Sequence, residues 1–138
     1  MSPAEIDFKN LSALVVDDYE AIRSKLTSAL NALGIKTTEA VNGVNALEVL
    51  AKESFDMMFT DIVMPEMDGF ELCEEVRRKP ELRKMPVVVT STHADTNYII
   101  KALRLGADDY LAKPIDKELL QKVVQRIMLP SMDEEENG

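Results

Sequence analysis

Four ionisable side chains come directly after apolar runs of strand length. They are Asp17, Asp18, Asp61 and Lys113. Two unit charges about 4 Å apart repel by roughly 4 kcal/mol at an effective dielectric near 20, so three carboxylates need more than one lysine to balance them. A hard divalent cation with oxygen ligands would do so. Mg²⁺ suits a site with few carboxylates, because it keeps several waters and tends to share a phosphate.

A carboxylate beside Mg²⁺ and an ammonium group can act as a nucleophile towards phosphorus, and Asp61 is the candidate. The metal and Lys113 would neutralise the phosphoryl oxygens, and a hydroxyl from the run Thr90, Ser91 and Thr92 could bond another oxygen. A simpler alternative is that Asp17 and Asp18 only cap the helix that follows them. Capping explains one aspartate of the pair but not the grouping of all three.

The elements that would bring these residues together alternate regularly along the chain. The predicted strands are 11–16, 35–41, 56–60, 86–91 and 109–112, and segments of helical period follow each of them. Five βα units in succession predict an α/β fold with a five-stranded parallel sheet covered by helices on both faces. In such sheets, functional residues gather at the carboxyl ends of the strands, near the point where strand order reverses.

Composition excludes several classes of function. The chain has 138 residues and a net charge of −9, so no clustered basic face for nucleic acid is expected. No apolar stretch reaches the length of a membrane span, which predicts a cytoplasmic protein without a membrane partner. A single cysteine, Cys73, excludes an internal disulfide or a multi-cysteine zinc site, and on an apolar helix face it is expected to be unreactive. Residues 131–138 follow Pro130, which is expected to end the last helix, and predict a disordered acidic tail.

Several motifs, in order, resemble one family over about residues 8–130. They are "LVVDD", "TDIVMPEMDGFEL", "VVVTSTHAD" and "GADDYLAKP". Together they are similar to the receiver domain of bacterial two-component response regulators. The resemblance implies a single receiver domain over 8–130 with the flavodoxin-like (βα)5 fold and strand order 2-1-3-4-5. His93, within the third motif, is expected to be an exposed loop residue.

The resemblance also implies a set of site residues. Asp61 would accept a phosphoryl group from a phosphohistidine on a sensor histidine kinase or a histidine phosphotransfer protein. Mg²⁺ would be held by Asp17, Asp18, Asp61 and the backbone carbonyl of Val63. Lys113 would pair with the phosphate, and its bond to Pro114 would be cis.

A conformational switch is implied by the same resemblance. Ser91 matches the hydroxyl that moves to the phosphate, with Thr90 as the alternative, and Tyr110 matches the aromatic residue that swings inward. Thr92 departs from the family pattern, which has alanine or glycine at its position. The downstream protein partner would bind the face of the fourth helix, fifth strand and fifth helix. The protein would be a monomer or weak homodimer.

The resemblance implies a phosphorylation-activated signalling switch, which is not chiefly an enzyme but assists its own phosphorylation and slow autodephosphorylation. Three other functions are alternatives. A phosphatase of the haloacid-dehalogenase type needs a second aspartate two residues after the nucleophile, where this chain has Val63. A nucleotide or flavin protein would carry a phosphate-binding glycine loop, and no such motif occurs. A receiver acting only as an adaptor is disfavoured by the intact aspartates and lysine.

Overall fold

The computed structural model describes residues 7–92 and 96–137, with side chains up to residue 129. The strands are β1 (Ser12–Val16), β2 (Lys36–Ala40), β3 (Met57–Asp61), β4 (Val87–Ser91) and β5 (Asp109–Ala112). The helices are α1 (Glu20–Ala32), α2 (Gly43–Leu50), α3 (Gly69–Arg78), α4 (Thr96–Arg104) and α5 (Lys117–Asn137). Short 3-10 turns occur at Phe8–Asn10 and Pro80–Leu82. His93 lies outside the described residues.

All five strands are parallel, in the order β2-β1-β3-β4-β5, which confirms the predicted fold class. Strand order reverses at β1, which lies between β2 and β3. Val16 of β1 is paired in register with Thr60 of β3. The residues that follow this pair, Asp17 and Asp61, therefore arrive side by side at the carboxyl edge of the sheet.

Two hydrophobic layers cover the faces of the sheet. On one face, α1 and α5 pack against alternate strand residues such as Val15 and Phe59. On the other, α2, α3 and α4 pack against the intervening residues, including Leu14 and Met58. Because the three central strands, β1, β3 and β4, are buried on both faces, their sequences are largely apolar instead of alternating. Cys73 lies in the second layer, where burial raises the pKa of its thiol to about 12, as expected for an unreactive cysteine.

The helix after β3 begins where sequence chemistry favours it. Asp68 is the N-cap of α3, and its carboxylate accepts a hydrogen bond from the amide of Glu71 at 2.9 Å. Asn42 caps α2 in the same way through the amide of Asn45. These caps fix where the chain turns away from the carboxyl edge, and therefore which residues remain there as loops.

The last helix differs from the prediction at its end. The expectation that Pro130 ends it is wrong, because α5 continues to Asn137. Proline kinks a helix as readily as it ends one, and the glutamates that follow, Glu134–Glu136, have high helix propensity. The disorder of 131–138 stays a prediction. Among the described residues, no helix is both long and apolar enough to cross a bilayer.

Candidate functional site

Asp61 is the last residue of β3 and is partly exposed. Its side chain is 15% exposed, and its Oδ1 accepts a hydrogen bond from the amide of Ile62 at 2.8 Å. The same oxygen lies 3.4 Å from Lys113 Nζ. Burial raises the pKa of Asp61 above its ordinary value; Lys113 opposes this rise, and Asp17 adds to it. All described polar contacts of this carboxylate use Oδ1, which leaves Oδ2 to meet a ligand.

Asp17 is more tightly held than Asp61. Only 3% of the residue is exposed, and Oδ2 forms a 2.6 Å ion pair with Lys113 Nζ. Its other oxygen, Oδ1, accepts the amide of Tyr19 at 2.9 Å. The capping alternative is thus realised only in part, because the N-cap of α1 is Tyr19, without a side-chain bond. Asp17 is fixed by the lysine as much as by the helix start.

Asp18 completes a cluster of three carboxylates. Oxygen atoms of Asp17, Asp18 and Asp61 all lie within 4.8 Å of one another. Lys113 is the single cation in ion-pairing contact with them among the described residues. Three carboxylates against one ammonium leave excess negative charge in a confined space, and oxygen donors at this spacing fit a small divalent cation. The predicted convergence of these four residues is therefore present.

The loop after Asp61 packs tightly against its own strand. The amide of Gly69 donates to the carbonyl of Ile62 at 2.7 Å. A Cβ at Gly69 would overlap the Asp61 carbonyl oxygen and lie 2.9 Å from Ile62 Cα. Glycine is required here by the close approach of α3 to the end of β3. Val63 lies in this loop with an exposed side chain; the role of its carbonyl stays a prediction.

The hydroxyl residues at the end of β4 lie on opposite faces. Thr90 is the register partner of both Asp61 and Leu111, whereas Ser91 pairs with Ala112. Alternation puts Thr90 on the α1–α5 face and Ser91 on the other, and both are buried. The sequence left the two as alternatives, and either remains within one residue of the strand end.

Tyr110 packs against the α2–α4 layer, on the same face as Ser91. Its hydroxyl donates to the Ser91 carbonyl at 3.5 Å, and burial raises the pKa of its phenol. The amide of Lys113 also donates to this carbonyl, at 2.9 Å. The Lys113–Pro114 bond is cis, as the resemblance implied. Tyr110, Ser91 and Lys113 are thus linked through one backbone oxygen.

Sequence reasoning missed two residues behind the cluster, Arg23 on α1 and Glu39 on β2. Arg23 donates from Nη1 to the Asp17 carbonyl at 2.7 Å and from Nε to Glu39 Oε1 at 2.6 Å. An arginine in a helix normally indicates a solvated face, so its type gave no signal. The one available hint was its place in the second turn of the helix that directly follows the acidic pair.

Comparisons with known proteins agree with this geometry. The family described as response regulator receiver domain matches residues 13–125. The chain is 36% identical over 124 residues to chemotaxis protein CheY-3 of Vibrio cholerae, covering 86% of this chain and 95% of that protein. It is 41% identical over 120 residues to Regulator of RpoS of Escherichia coli, covering 86% of this chain but 35% of that protein. The chain spans about 35% to 45% of the length of several curated relatives it matches.

A solved structure resembles this one in both fold and sequence. It is the receiver domain of sensor histidine kinase PA1611 from Pseudomonas aeruginosa, with a magnesium ion coordinated in its active-site cleft. The TM-score is 0.78 at 27% identity, over 84% of this chain and 95% of that one. Family match, relatives and fold agree, and the chain belongs to the response regulator receiver domains of two-component systems.

Proposed function

We propose that this receiver domain is switched by phosphorylation of Asp61. A carboxylate oxygen of Asp61 attacks the phosphorus of a phosphohistidine on a sensor kinase or phosphotransfer protein. An O–P bond forms, the P–N bond breaks, and the imidazole nitrogen leaves with the electron pair. The partly open position of Asp61, with Oδ2 outside the described contacts, supports this role.

The observation that carries the proposal is the excess of carboxylates over cations at one edge of the sheet. Asp17, Asp18 and Asp61 lie together with Lys113 as their counter-charge. They would hold Mg²⁺, with the Val63 carbonyl as a further ligand. When bound, Mg²⁺ supplies positive charge to the phosphoryl oxygens. The magnesium ion in the PA1611 receiver supports this choice of metal.

Lys113 is poised to serve the phosphorylated form. Its side chain is 7% exposed, and its ammonium lies between Asp17 and Asp61. Once Asp61 carries a phosphoryl group, the ammonium can donate to a phosphoryl oxygen without leaving Asp17. This preorganisation avoids moving a charge out of water during the transfer.

We further propose Ser91 as the switch hydroxyl, with Thr90 as the alternative, and Tyr110 as the switch aromatic. Ser91 is favoured because it shares a face with Tyr110, whose hydroxyl contacts its carbonyl. Phosphorylation would bias a two-state equilibrium in which both side chains change position. Thr92 beside them would limit access to the phosphate, so slow autodephosphorylation is part of the proposal.

The output would be protein binding in the cytoplasm, by a monomer or weak homodimer. The expected partner surface is formed by α4, β5 and α5. Three large apolar side chains on these two helices are exposed, which suits a partner interface: Ile100, Leu103 and Leu119. The net charge of −9 argues against direct nucleic-acid binding.

The test is phosphorylation by acetyl phosphate with Mg²⁺, followed by intact-mass spectrometry. We expect about one phosphoryl adduct on the parent protein, no adduct after EDTA, and none on Asp61→Asn. Asp56→Asn is the matched control, because Asp56 lies at the opposite end of the same strand and should leave the adduct unchanged. An equal adduct on Asp61→Asn would disprove the assignment of the acceptor.

A further inference from the structure

Asp18 differs from its two neighbours in how it is held. The carboxylates of Asp17 and Asp61 are fixed by Lys113 and by backbone amides. The Asp18 carboxylate has no hydrogen bond or ion pair within the described part of the chain, and the residue is exposed. Its direction therefore depends on the backbone that carries it.

That backbone is clamped from two sides. The amide of Asp17 donates to the Ala40 carbonyl of β2 at 3.2 Å. The carbonyl of Asp17 accepts from Arg23 Nη1 at 2.7 Å. Because a peptide unit is planar, holding the Asp17 carbonyl also fixes the amide of Asp18 and the direction in which its Cα leaves the strand.

Arg23 is itself held. Its side chain is 12% exposed, and Nε donates to Glu39 Oε1 at 2.6 Å. Glu39 lies on β2, one residue before Ala40, so the same edge strand holds the Asp17 amide directly and orients the arginine that holds the Asp17 carbonyl. A guanidinium has a rigid fork of donors, which lets one side chain satisfy the Glu39 carboxylate and the Asp17 carbonyl simultaneously.

We propose that Arg23, oriented by Glu39, is a positioning residue that sets the angle between Asp17 and Asp18 and thereby the affinity of the acidic cluster for Mg²⁺. The inference rests on the metal site proposed above. An effect of the Arg23 charge and an effect of its position predict opposite changes in Mg²⁺ affinity when the side chain is removed. If Arg23 acted only by its charge, removing a nearby cation would tighten Mg²⁺ binding. If it acts by position, its removal weakens binding despite that charge effect.

The experiment measures Mg²⁺ binding by isothermal titration calorimetry on unphosphorylated protein. We expect Arg23→Met to weaken the Kd about tenfold, as for other residues that orient metal ligands. Arg126→Met is the control, since Arg126 pairs with Asp109 at the amino edge and makes the same change in net charge. It should leave the Kd within about twofold of the parent. Unchanged or tighter binding by Arg23→Met would overturn the proposal.

Two further variants separate position from folding. Arg23→Lys keeps the charge, but one ammonium cannot reproduce the two-pronged contact, so its Kd should still rise several-fold even if Arg23→Met does not fold. The Asp18 amide resonance should shift in Arg23→Lys while resonances of α5 stay in place; an unmoved Asp18 amide with parental Mg²⁺ affinity contradicts the proposal. Asp18→Asn tests the metal site itself. If this variant binds Mg²⁺ like the parent, the proposed metal site is wrong. If it loses Mg²⁺ binding while the Arg23 variants bind like the parent, the metal site stands and only the role of Arg23 is disproved.

Discussion

The two edges of the sheet both carry carboxylates, but they use them differently. At the amino edge, Asp56 accepts the Ser12 amide at 2.8 Å, and Asp108 accepts the Val87 amide at 2.8 Å. Asp109 pairs with Arg126 at 2.7 Å. Each of these carboxylates has donors of its own. At the carboxyl edge, Asp17 and Asp61 share the ammonium of Lys113, and Asp18 has no ion pair among the described residues.

Arg77 makes the contrast sharper. From α3 its guanidinium donates to the carbonyls of Gly106 at 2.7 Å and Met85 at 2.8 Å, and to Asp108 at 2.8 Å. Positive charge is thus concentrated where it closes loops at the amino edge and is scarce where phosphate is expected. One edge is arranged to stabilise the fold, and the other retains repulsion among its carboxylates that a bound cation would relieve.

The largest expected effect on stability comes from removing the Arg77 guanidinium, which connects the loops at the amino edge of the sheet. Arg77→Met removes the guanidinium donors of several carbonyls and of Asp108, so we expect the free energy of unfolding to fall by about 3 kcal/mol. Urea denaturation measures it. Arg78→Met is the control, because Arg78 is exposed and its ion pairs within the described ranges are with Glu74 and Glu75 alone. It should change stability by less than about 0.5 kcal/mol. If both variants lost the same free energy of unfolding, Arg77 would have no special role in stabilising the amino edge.

The carboxyl edge should respond to metal instead. Under the proposed metal site, Mg²⁺ binds the native cluster and not the unfolded chain, so a free Mg²⁺ concentration ten times the Kd should stabilise the protein by about 1.4 kcal/mol. Thermal denaturation with Mg²⁺ and with EDTA measures this shift. Asp108→Asn should keep the Mg²⁺-dependent increment although its baseline is lower. If the Mg²⁺-dependent stabilisation were lost in Asp108→Asn and kept in Asp18→Asn, the metal would bind at the amino edge and not at the carboxyl edge.

Removing one charge from the cluster should stabilise the fold. The pKa of Asp61 is raised in the folded state, so ionisation of this carboxyl group disfavours folding. The stability it contributes is present below its unfolded-state pKa and is lost as pH rises through its folded-state pKa. Asp61→Asn should therefore match the parent in acid and exceed it by about 1 kcal/mol at neutral pH without Mg²⁺. Denaturation series across pH 3 to 8 test this. A neutral-pH loss of stability would mean that Lys113 outweighs burial and the repulsion from Asp17.

The smallest expected effect concerns the loop beside the site. Glu66 adopts a positive φ of 68°, a conformation that costs less for glycine. Glu66→Gly should raise stability by about 0.5 kcal/mol, whereas Glu66→Ala keeps the strain and should not. Chemical denaturation of both variants decides. If alanine stabilised as much as glycine, the side chain and not the backbone would be the cause.

Residues brought together by the ends of strands were predicted correctly from the sequence, whereas contacts made by the arginine side chains of the helices were missed. Asp17, Asp61 and Lys113 were predicted to converge because parallel strands finish at one edge, and they do. Arg23 and Arg77 were missed because an arginine on a helix usually lies in solvent. Several of their acceptors are backbone carbonyls, which no residue type in the sequence can indicate. The choice between Ser91 and Thr90 stayed open, since adjacent residues on a strand differ only in face.

A residue can be retained in evolution because the fold needs it or because the chemistry needs it. The close approach of Gly69 to the Asp61 carbonyl makes these two reasons distinguishable at neighbouring positions. A library of variants selected only for folding should accept many residues at position 61, where the side chain meets solvent and charge. The same library should accept glycine alone at position 69, because any Cβ displaces α3 from the strand. Selection for signalling would make both positions look invariant. Comparing the two selections would reveal which invariance belongs to architecture and which to chemistry.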